Sequence, residues 1–97
     1  MSDNVKVVVT FDVLEEKLEI FEGIMTSLKT DLPKVDGCNS IVIHRDQDDA
    51  SVFVLVEDWD SREIHDAHIA TVVESGGWAT IEAMLKSAPV TRNMSVY

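Results

Sequence analysis

Residues 38–59 read CNSIVIHRDQDDASVFVLVEDW. Two β-branched, apolar runs flank the polar QDDA at 47–50, and so short a polar connection between strand-like runs reads as an antiparallel hairpin. In the first run Ile41 and Ile43 point one way, and Ser40, Val42 and His44 the other. The second run, 51–59, is apolar on both faces through Val56 and then turns polar at Glu57, Asp58 and Asp60 around Trp59.

Upstream, VKVVVTFD (5–12) is a further strand with Val5, Val7, Val9 and Phe11 on one face, and Val8 makes the other face partly apolar as well. Residues 14–32 carry Leu14, Leu18, Phe21, Met25, Leu28 and Leu32 at alternating steps of three and four, widened by Ile20 and Ile24. That spacing predicts a helix with one broad buried face, stopped by Pro33. Gly23 inside it costs about 1 kcal/mol relative to alanine, which predicts a close packing contact there. PKVDG (33–37) is a turn-rich link to the hairpin.

Downstream, Asp60 is expected to cap a helix beginning at Ser61, with Glu63 as the partner of a variant capping box. Ile64, His68 and Val72 form its expected inner stripe, beside Ala67 and Thr71, and Ser75-Gly76-Gly77 ends it. A short helix at 78–87 and a last strand at 90–97, where Val90, Arg92, Met94 and Val96 alternate with Thr91, Asn93, Ser95 and Tyr97, complete the chain. The order strand, helix, strand, strand, helix, short helix, strand predicts a single α+β domain over 1–97. Its expected form is ferredoxin-like, a four-stranded antiparallel sheet with helices on one face.

Composition narrows the function. A chain of 97 residues buries about 60–65% of its surface alone, yet 45% of this one is apolar. The helix-free sheet face, rich in valine, is expected to close against a second copy as a homodimer. Asp and Glu number 18 against 8 Lys and Arg, a net charge of −10. Phosphate backbones and anionic membrane surfaces are repelled, which argues against nucleic acid and membrane partners. Cys38 is the one cysteine, so no intrachain disulfide forms. No apolar run approaches spanning length and MSDNVKVVVTF lacks the form of a leader, so the expected location is cytoplasmic.

DGC at 36–38, the apolar hairpin, Glu57 and Trp59 in VEDWDS, and DAHIAT at 66–71 together resemble the antibiotic biosynthesis monooxygenase family. The resemblance covers almost the whole chain. Its most specific part is Glu-x-Trp ending the third strand, with a histidine nine residues after the tryptophan. It implies a dimeric α+β barrel and oxygenation of a small phenolic, quinol or polyketide-like aromatic by O2, without metal or flavin. Relatives bind haem or isomerise small metabolites. The aromatic-polyketide oxygenases carry an Asn four residues before the tryptophan; here that position is Leu55.

The candidate catalytic residues are His68 and Trp59. Imidazole titrates near neutrality and serves as a general base; the bland alternative for His68 is a half-buried helix residue with a local hydrogen bond. Trp59 can stack on an aromatic ring and donate its N–H to an oxyanion, or close the core between sheet and helix. Candidate substrate-binding residues are His65 at the pocket rim, Glu57, Phe11 and Arg92. A structural salt bridge is the alternative for Glu57 and Arg92, and core packing for Phe11. His65 and His68 share a helix side, but zinc needs a third ligand that neither Cys38 nor His44 is fixed to supply, so no metal is expected. Two other functions stay open: an isomerase or epimerase with His68 moving the proton, and a non-catalytic dimeric ligand-binding module.

Overall fold

The computed structural model describes residues 4–97. The alternation of valines sets the architecture. Strands β1 (Val5–Asp12), β2 (Cys38–Arg45), β3 (Val52–Trp59) and β4 (Val90–Met94) form one antiparallel sheet in the order β2-β3-β1-β4. Helices α1 (Leu18–Asp31), α2 (Arg62–Glu74) and α3 (Gly77–Glu82) connect them. This is the ferredoxin-like α+β fold expected from the sequence.

Strand pairing sorts the side chains into rows. On the helix side one row is Ile41, Glu57, Val7 and Asn93; the next is Ile43, Leu55, Val9 and Thr91. The opposite face carries Val42, Val56, Val8 and Arg92 in one row, and His44, Val54, Thr10 and Val90 in another. Val42, Val90 and Met94 remain exposed there.

Five local expectations are corrected. Ser61, not Asp60, is the cap of α2: its Oγ accepts the Ile64 N–H at 3.2 Å, and the helix starts at Arg62. Asp60 instead accepts from the side chain of Asn39, which bulges out of β2 between Cys38 and Ser40. The inner stripe of α2 begins at His65 rather than Ile64, because Ile64 lies over the turn at Gly37. Gly37 has φ +90°, and a Cβ there would sit 2.5 Å from Ile64 Cγ2, so the turn requires glycine on both counts.

Gly23, by contrast, faces open space: a Cβ would meet nothing within 4 Å. Helix α3 ends at Glu82, after which the backbone pairs with the end of β1 through a Val13–Leu85 bridge and a 2.8 Å bond from Leu14 N–H to Met84 O. Strand β4 stops at Met94. Among the described residues no helix is long and apolar enough to cross a membrane.

Candidate functional site

Between the inner sheet face and the helices lies a cavity of about 250 Å³. Its walls are mainly apolar: Val9 and Leu55 from the sheet, Leu28 from α1, Val72 from α2, Trp78 and Ile81 from α3. The polar groups reaching it are few. Glu57 and, from α2, His65, Asp66 and His68 stand on one side; Thr91 and Asn93 come from β4.

The Glu57 side is a buried network. Trp59 has no exposed surface, and its indole N–H donates to Glu57 Oε1 at 2.8 Å. The two residues meet because they are two apart on a strand and so share its inner face. His65 Nε2 lies 4.0 Å from the same carboxylate oxygen, and His65 Nδ1 lies 3.6 Å from Asp66 Oδ1, buried without a hydrogen bond. The Trp59 ring packs against both imidazoles, with centroids 5.3 Å from His65 and 5.2 Å from His68.

This surrounding shifts all three acids and bases. Burial pushes the Glu57 carboxyl up, against the opposing pull of the Trp59 N–H. Burial pulls both histidines down; for His65 the neighbouring Asp66 works against that. Both imidazoles are therefore neutral at pH 7, and each can accept a proton.

Of the residues singled out from the sequence, His68, His65, Glu57 and Phe11 line the cavity. His65 is no rim residue, being only 5% exposed. Trp59 does not reach the cavity wall: its ring is enclosed and its N–H is engaged, so it neither stacks on a substrate nor donates to an oxyanion. It positions Glu57 and backs the two imidazoles. Arg92 is on the wrong face, because alternation along β4 sends it with Val8 to the side opposite the cavity.

Thr91 and Asn93 take its place at the cavity, a pairing visible in the β4 alternation but not assignable to a side without the Val7–Asn93 register. Among the described residues no group of three or more His, Cys, Asp or Glu is placed to hold a metal ion. His44 pairs with Val54 on the opposite sheet face, and Cys38 lies beside Trp59.

The family model for antibiotic biosynthesis monooxygenase matches residues 4–72. No curated protein shows significant similarity. Solved structures are similar in fold at low identity. One titled antibiotic biosynthesis monooxygenase is 22% identical, with 96% of this chain and 98% of that one covered and a TM-score of 0.85. Rv0793 from Mycobacterium tuberculosis is 19% identical over 97% and 95% of the two chains, with a TM-score of 0.84. A mutant of SnoaB, a cofactor-independent oxygenase from Streptomyces nogalater, is 15% identical over 98% and 94%, with a TM-score of 0.81. With a family match over most of its length, this chain belongs to the antibiotic biosynthesis monooxygenase family.

Proposed function

We propose that the protein is a cofactor-independent monooxygenase of a small phenolic, quinol or polyketide-like aromatic, working as a homodimer, with His68 as general base. The observation that carries this reading is a neutral, half-buried imidazole on the wall of an apolar cavity of ring-binding size. Family membership supports it, and SnoaB is a cofactor-independent oxygenase of similar fold.

The substrate supplies the reducing power. At a ring hydroxyl, His68 takes the O–H proton, and the resulting phenolate gives an electron to O2. The radical pair joins as a C–O bond at a neighbouring ring C–H carbon, and the proton on His68 returns to the peroxide. His68 then takes the C–H proton of that carbon as the O–O bond breaks, and the hydroxide leaves as water. A carbonyl remains, with one oxygen atom from O2 in the product. The substrate loses four electrons, and O2 gains four. Apolar walls favour the uncharged substrate and exclude water from the anion. Glu57 and Trp59 hold His65 and His68 in place.

The test is oxygen consumption by metal-stripped protein across hydroquinones and anthrones. Uptake should fall by about 10²–10⁴ in His68→Ala, with melting temperature followed alongside. Undiminished uptake in that variant would remove His68 from the chemistry. A second reading, a small-metabolite isomerase or epimerase, is favoured by the raised Glu57 carboxyl near neutral His65, two groups able to exchange protons. It predicts solvent deuterium in recovered substrate without oxygen uptake. Thermal stabilisation by ligand without turnover would leave the binding module.

A further inference from the structure

The proposed chemistry uses the α2 side of the cavity and leaves β4 without a role. Asn93 lines the cavity, and its Oδ1 is buried with no hydrogen-bond partner. Buried polar atoms are nearly always paired, and leaving one unpaired is costly, so an orphan on a residue that lines a cavity points to a missing partner. The amide can present its oxygen or, turned over, its NH2, and so meets either a hydroxyl or a carbonyl.

Its place in the sheet says what kind of partner. Asn93 and Glu57 both pair with Val7, from opposite sides. They therefore stand in one row with β1 between them, two strand spacings or about 9.5 Å apart. Val7 between them is fully buried, and Val9 and Leu55 in the next row are apolar. The cavity thus has a polar group at each side and an apolar floor, a pattern matched by a flat ring with an oxygen at each end.

We propose that Asn93 is a second anchor for the substrate: it binds the oxygen across the ring from the one nearer His68 and Glu57, so the site selects para-dioxygenated arenes over monophenols. This rests on the reading of the cavity as an aromatic oxygenase site. A site built to hydrogen-bond a substrate hydroxyl discriminates against the analogue lacking it, because its own buried group is then left unpaired. Asn93 is a positioning and specificity residue; it moves no proton.

The experiment is anaerobic calorimetric titration of the protein with 1,4-dihydroxynaphthalene and with 1-naphthol, in wild type, Asn93→Leu, Asn93→Ala and His68→Ala. Wild type should bind the diol about tenfold more tightly than the mono-ol, the size of one neutral hydrogen bond. Both Asn93 variants should bring that ratio to about one while still binding 1-naphthol, whereas a merely structural role would weaken both probes alike. A wild-type ratio near one, a ratio that survives in both Asn93 variants, or no binding of either probe overturns the proposal; the wild-type comparison needs no variant to fold. His68→Ala should keep the ratio. A retained ratio with no oxygen uptake by wild type would sink the oxygenase reading and leave Asn93 as an anchor. Normal uptake with a ratio near one would sink only the anchor.

Discussion

Helices α1 and α2 cover the same face of the same sheet with opposite chemistry. Helix α1 buries Phe21 and Met25, and Phe21 packs against Phe11 at 5.4 Å and Phe53 at 5.2 Å. In α2 the residue buried to that degree is a histidine, His65, with His68 half-buried one turn on. One helix supplies apolar area removed from water, which is the main favourable term in folding. The other brings ionisable groups into the same low-dielectric layer, where burial alters their protonation. Stability and chemistry are thus divided between two helices of similar length.

That division is open to test, starting with the largest effect. Phe21→Ala should destabilise by about 3–5 kcal/mol in urea unfolding, as expected for an aromatic core truncation. A loss under about 1 kcal/mol would mean that α1 is not the stabilising helix. On the other side, Trp59→Phe should cost about 1–3 kcal/mol, because it leaves the buried Glu57 carboxylate without its donor and adds a small void. In a Glu57→Gln background the cost should shrink, since no charge is then left unpaired. An unchanged cost would reduce Trp59 to a packing residue.

The pH dependence of stability should separate the helices further. Burial lowers both histidines, so the unfolded chain takes up their protons first, and stability falls as pH drops through the unfolded value of 6.5. Glu57 has the opposite sign. Its raised carboxyl protonates first in the folded state, so it adds stability as pH falls from its folded value toward the unfolded 4.5. Urea midpoints at about pH 7.5 and 4.5, spanning the histidine range and reaching the unfolded carboxyl value, should therefore show a smaller loss in His65→Asn and a larger one in Glu57→Gln. Identical slopes in all three proteins would mean that neither His65 of α2 nor Glu57 of β3 titrates differently in the folded and unfolded chain. The smallest effect belongs to α1: Gly23→Ala should stabilise by about 0.5–1 kcal/mol, since the site is open and helical. A loss would reveal a neighbour at Gly23, as a second copy would provide.

The same contrast explains what could be read in advance. In α1 the stripe of Phe21, Met25 and Leu28 was legible because apolar residues at helical spacing have one favourable destination. In α2 the stripe was misplaced by one residue at its start. Ile64 is the more apolar residue and His65 the less, yet Ile64 covers Gly37 while His65 turns to Glu57. Hydropathy could not rank them, because the identity of the surface each would meet was still missing. Trp59 was left between two readings for a related reason: two residues apart on a strand places it beside Glu57, but not which of the two faces the cavity. Arg92 and Asn93 differ only by the phase of β4, and that phase is decided by pairing with β1.

The sequence by itself determined the order of elements, the antiparallel hairpin, the inner faces of β1 and β3, and the family. Each depends on local periodicity, or on residue types at short spacing, that the chain carries wherever it is placed. Only the tertiary structure decided that His65 is enclosed, that Trp59 spends its N–H on Glu57, that Arg92 is on the far face and that Asn93 stands across Val7 from Glu57. Those facts depend on how β1 and β4, from the two ends of the chain, pack with β3 and α2 in its middle, and the protonation of the site follows from burial that exists only once they have packed together.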